Sequence, residues 1–72
     1  MGLSISGIEL KRALERYGWY VARESGHWQM AHNDRPGIVV SIPRHRDDIL
    51  VKTLKRILKE TNLSEDDIWR VR

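Results

Sequence analysis

Three histidines, His27, His32 and His45, carry the side chains of this chain whose charge changes nearest neutral pH. His27 follows the dipeptide Ser25-Gly26 inside the stretch "ESGHWQMAH", residues 24 to 32. A single well-placed proton donor or acceptor typically accelerates a reaction by about 10²–10⁴-fold. The three histidines do not read as a metal site. His27 and His32 are five residues apart on one extended segment, which turns them to opposite faces, and no Cys, HxH or HExxH pattern is present. No metal and no other cofactor is expected. The serines lie at element starts and turns without a nucleophile elbow around them. The acids gather at helix starts, where they suit caps better than an opposed carboxylate pair. Two readings stay open: a histidine working at a bound phosphodiester, and turn or strand histidines with no chemistry.

A second group of residues favours the phosphodiester. Lys52, Lys55, Arg56 and Lys59 fall at i, i+3, i+4 and i+7, so one helical face carries all four cations. The bland reading is a solvated face. Mixed signs would serve solubility as well, yet no acid is interleaved before Glu60. Arg44 and Arg46 lie just upstream and extend the patch. Contacts from these cations to phosphates would bind a polyanion in a strongly salt-dependent way. The net charge of +3 and isoelectric point near 9.7 point the same way, toward nucleic acid.

These residues need elements to position them. Ser6-Gly7-Ile8-Glu9 has the form of a capping box. Leu10, Ala13, Leu14 and Tyr17 follow with helical spacing, and Gly18 supplies a left-handed stop, so the first helix covers about residues 7 to 17. "WYVARE" (19–24) reads as a strand, Ser25-Gly26 as its turn, and "HWQMAH" (27–32) as a second strand. "NDRPG" (33–37) is dense in turn formers, "IVVSI" (38–42) is the third strand, and Pro43 closes it or places it at an edge. Asp47 or Asp48 caps the next helix, whose apolar face is Leu50, Leu54, Ile57, Leu58 and Thr61, with Asn62 as its stop. Ser64 with Asp67 opens a short final helix that tucks Ile68 and Trp69 onto the core. The fold class is α+β: a helix, a three-stranded antiparallel meander, a helix and a short C-terminal helix, with the helices on one face of the sheet.

The 72 residues make one domain, 1–72, with a small core. The absence of Cys agrees with a reducing compartment. No apolar run approaches the length of a membrane span, and no signal pattern opens the chain; a cytoplasmic protein without membrane contact is expected. "MGLSIS" matches an acylation pattern at Gly2 and Ser6, but Ser6 has the capping role.

The ordered set "SGIELKRALERYGW", a later "GH", a turn with Pro36-Gly37, "VSIPRH" and "TLKRILKETNLSEDDI" resembles the HicA family of toxins, over residues 4 to about 69. The resemblance implies a small ribonuclease with a fold like the double-stranded RNA-binding domain, which cuts messenger RNA and is neutralised by a HicB antitoxin. It assigns catalysis to His27, the position after the turn, and matches His32 and His45 to two further histidines of the family. Ser25, Gly26, His32 and His45 would then support the site, and Lys52, Lys55, Arg56, Lys59, Arg44 and Arg46 would hold RNA. The family reads Gly-Ser-His or Gly-Thr-His where this chain has Ser25-Gly26-His27. That altered turn favours a rival reading, a non-catalytic RNA-binding module of the same fold. A third reading is a protein-interaction domain whose basic face meets an acidic partner.

Overall fold

The computed structural model describes residues 4–44 and 47–71. Helix α1 (Gly7–Arg16) starts at the expected capping box: Ser6 Oγ accepts from the Glu9 amide at 3.2 Å, and the Glu9 carboxylate accepts from the Ser6 amide. Its inward stripe buries Leu10, Ala13 and Leu14. Strands β1 (Trp19–Glu24), β2 (His27–His32) and β3 (Val40–Pro43) form an antiparallel sheet in the order β1-β2-β3. Helices α2 (Val51–Thr61) and α3 (Glu65–Val71) complete the expected α+β, αβββα order with its short C-terminal helix.

One face of the sheet makes the core. Trp19, Trp28, Met30, Val40 and Ile42 point inward against Leu10 and Leu14 of α1, Leu54, Ile57 and Leu58 of α2, and Ile68 of α3. The alternate residues face outward, because side chains along a strand switch sides at every step. The fold therefore has a covered face and an open face. A bulge in β1 between Val21 and Arg23 shifts the register, so that Arg23 opposes Gln29 and Glu24 opposes Trp28.

Four local expectations are corrected. β3 begins at Val40 rather than residue 38, because the preceding turn extends through Gly37 (φ +84) and the Ile38 amide donates back to the Arg35 carbonyl. Neither Asp47 nor Asp48 caps α2: its N-cap is Leu50, with no side-chain cap. Asp48 is used elsewhere, accepting from the Ser4 hydroxyl and bridging to Ser6, while the Ile49 amide donates to the Ile5 carbonyl at 2.8 Å. That pairing holds 48–49 extended and delays the helix. Leu50 consequently precedes the helix and is 76% exposed rather than part of the apolar face. In α3, Ile68 is fully buried but Trp69 is 64% exposed, since successive helical residues point about 100° apart.

Asn62 ends α2 in the left-handed conformation (φ 59). Ser64 and Asp67 form the expected reciprocal cap of α3, and the Tyr17 hydroxyl donates to the Asp67 carbonyl at 2.6 Å, tying α3 to the end of α1.

Candidate functional site

His27 opens the central strand on the outward side, opposite Pro43 of β3. Gly26 turns the chain into it with φ +74, a conformation in which any other L-residue is strained, and the Ser25 amide donates to the His27 carbonyl at 3.0 Å. A Cβ on Gly26 would meet nothing within 4 Å, so the backbone conformation, not crowding, selects glycine there.

The next residue fixes the direction of the histidine. Trp28 is buried on the covered side, and its Nε1 donates to Glu24 Oε1 at 2.7 Å. The Lys11 ammonium and the Arg44 guanidinium lie 5.4 and 5.5 Å from its ring centroid, within cation–π range. With Trp28 held inward, His27 must point outward. Its ring is exposed, and it is hydrogen-bonded to none of the described residues.

His32 is placed very differently, on the covered side of the same strand. Its Nε2 lies 2.9 Å from the Tyr17 carbonyl, its Nδ1 accepts from the Asp34 amide at 3.0 Å, and its ring meets Trp19 edge-on with centroids 5.3 Å apart. The neutral tautomer with its proton on Nε2 satisfies both contacts. A Cβ at Gly18 would stand 2.6 Å from His32 Nε2, and Gly18 itself has φ +94. His32 is therefore a joint between the end of α1, β1 and the β2–β3 turn. It does not join His27.

Lys52, Lys55 and Lys59 project from the solvent side of α2 without an ion-pair partner among the described residues. Arg56 is partly committed: Nη1 pairs with Glu60 at 2.9 Å, and Nη2 donates to the Ser41 carbonyl at 3.3 Å. That second bond carries the stripe to the edge of β3. Ser41 opposes Gln29, and Gln29 lies two residues from His27 on the same outward side. The first turn of α2, which carries Lys52, holds no acid and has no side-chain cap. Arg44 makes other contacts. It flanks the Trp28 ring and is 3.9 Å from Glu24, one residue past the cross-strand partner of His27. His45 and Arg46 lie outside the described residues.

Hydrogen bonds from the Ser64 amide and hydroxyl hold the Asp67 carboxyl below the usual carboxylate range, with Arg70 adding to them and desolvation opposing. Asp67 belongs to the cap of α3 rather than to the His27 face.

Sequence reasoning missed the residues that share the outward face with His27, namely Gln29, Arg23, Ser41 and Tyr20. Strand alternation counted from His27 would have found Gln29; the others needed the register and the bulge.

The order αβββα with both main helices on one face is the arrangement of the double-stranded RNA-binding-domain class. A family model described as the HicA toxin of bacterial toxin–antitoxin matches residues 7–63, which spans α1, the whole sheet and α2. The chain belongs to the HicA toxin family. A comparison with curated proteins gave no match.

Proposed function

We propose that this toxin is an endoribonuclease that cuts messenger RNA, with His27 as its proton-transfer group. The observation that carries the reading is the exposed His27 ring, presented on the open sheet face by a left-handed Gly26 in a chain of this family. RNA carries its own nucleophile. His27 takes the proton of a ribose 2′-hydroxyl, O2′ attacks the adjacent phosphorus, and the bond from phosphorus to O5′ breaks. The leaving O5′ takes a proton from water, and the His27 imidazolium returns its proton to the hydroxide so formed, giving a 2′,3′-cyclic phosphate and a 5′-hydroxyl end. Atoms and charge balance in this step without a metal or cofactor. Lys52, Lys55, Arg56 and Lys59, with Arg44 and Arg46, hold phosphates. One placed acid–base group supplies about 10²–10⁴-fold, which describes a slow enzyme.

The partner that silences it is a HicB-like antitoxin, and the cytoplasm is where it meets its messenger. A second reading, an RNA-binding module without catalysis, draws on two observations. Gly26 brings no hydroxyl beside His27, and no described residue orients the imidazole.

Cleavage by purified protein tests the choice. The parent is expected to cut RNA, His27→Ala to lose cutting while keeping its circular dichroism, and a 2′-deoxy substitution at the cut site to block it. Equal cleavage by the parent and His27→Ala would remove His27 from the mechanism. Tight binding by the parent without cleavage would leave the second reading.

A further inference from the structure

The open face of the sheet has more on it than a histidine. Outward positions on β1 and β2 pair as Tyr20 with Ala31 and, past the bulge, Arg23 with Gln29; on β2 and β3 they pair as Gln29 with Ser41 and His27 with Pro43. Tyr20 is 46% exposed although aromatic, at the far end of this face from His27. Among the described strand residues, none of these outward positions is acidic. Glu24, the only acid in the strands, is turned to the Trp28 indole on the covered side. The face thus offers an aromatic ring, an amide, a hydroxyl, a guanidinium and an imidazole. Its β3 edge is continuous, through the Arg56 bond to Ser41, with the cations of α2.

We propose that this face is a platform for single-stranded RNA, on which Tyr20 stacks a base at a fixed distance from the bond that His27 cuts. Tyr20 is a positioning residue in this scheme. The proposal rests on the ribonuclease reading for what happens at His27, but the platform is read by binding alone.

The spacing follows from the strand. Ala31 lies four strand steps from His27, about 13 Å at 3.3 Å per residue, and Tyr20 lies beside Ala31. That separation is too long for one nucleotide to touch both rings, so the stacked base belongs to a neighbouring nucleotide. Gln29 and Arg23 lie between, where the amide can meet a base edge and the guanidinium a phosphate. The phosphates run toward the α2 side, where Lys52, Lys55 and Lys59 have no ion-pair partner among the described residues. RNA is favoured over a protein partner because the face is hydrogen-bonding and cationic, with one isolated ring and no apolar cluster. Stacking on an aromatic suits every base, so the platform sets where RNA lies more than which sequence it carries.

The test uses the full chain and 2′-O-methyl oligonucleotides, which bind without being cut. Parent affinity is expected to rise as the oligonucleotide lengthens from about two to about six nucleotides. Tyr20→Ala should lose about five- to a hundredfold on the longer one and most of the gain with length. Tyr20→Phe, which keeps the ring, should restore the gain, and Tyr20→Leu, which keeps bulk alone, should not. All three should melt close to the parent, since Tyr20 is 46% exposed and lies outside the buried core. Parent-like length dependence in Tyr20→Ala overturns the proposal. So does a Tyr20→Ala protein that binds RNA normally but no longer binds its antitoxin, which would give the face to a protein. Binding that follows this pattern without cleavage by the parent would keep the platform and sink the ribonuclease reading.

Discussion

Replacing His32 with alanine separates the histidine that belongs to the fold from the one proposed for the chemistry. The substitution removes two hydrogen bonds, to the Tyr17 carbonyl and from the Asp34 amide, and an edge-on ring interaction with buried Trp19. Each hydrogen bond contributes about 1 kcal/mol net, and the aromatic pair about 0.5–1.5 kcal/mol. The destabilisation comes to about 2–4 kcal/mol. A chain of this length is stable by about 4–11 kcal/mol in all, so that is a large share of the total. At about 4–8 °C per kcal/mol, melting should fall by at least about 8 °C. Gly18→Ala should act on the same joint, because its Cβ would strike the His32 ring and the backbone there is left-handed. His27→Ala, on the open face, should stay within about 0.5 kcal/mol of the parent. Thermal unfolding of the purified variants by circular dichroism is the assay. A His32→Ala protein that melts with the parent would refute the structural role. If it also failed to cleave RNA, His32 would move into the mechanism.

Three further outcomes are expected. Lys55→Glu with Lys59→Glu should weaken RNA binding most at low salt and flatten the salt dependence by about 0.7 for each phosphate of a single strand that is no longer neutralised; unchanged binding at low salt would leave the α2 stripe as ordinary surface. The antitoxin should cover His27 and part of α2, presenting acids to Lys55, Arg56 and Lys59, so association should slow with added salt; hydrogen exchange around residues 25–30 and 52–59 that is unaffected by the partner would contradict this. Asp67 has a lowered folded-state value, so it stabilises the fold above the ordinary carboxylate range and loses that contribution as pH falls through its own lowered value. Asp67→Asn should therefore be less stable than the parent at neutral pH and converge with it in acid, as denaturant titrations at several pH values would show.

Local chemistry made much of the fold readable. The caps at Ser6 and Ser64, the glycines at 18 and 26, and the stop at Asn62 act within a few residues of themselves, and the structure has each where its chain neighbours dictate. The alternation of "HWQMAH" revealed the two faces of β2 for the same reason. The start of α2 was not readable, because Asp48 is drawn into a pairing with Ser4 and Ser6, more than forty residues away in the chain. Local preference for a helix cap yielded there to a tertiary hydrogen bond.

The candidate site divides along the same line. The sequence by itself determined that a histidine follows a turn glycine and that four cations share a helical face, since both facts depend on spacing alone. Only the tertiary structure decided which of His27 and His32 is free. His27 and His32 lie on one strand, and it is the packing of Trp28 and Trp19 on the covered side that leaves the first ring in solvent and fastens the second to Tyr17 and Asp34. Tertiary structure likewise decided that Arg56 meets Ser41 across the edge of β3, joining the helical cations to the open sheet face. That meeting depends on how a helix lies against a strand edge, a geometry fixed by burial of the core and by no nearby residue.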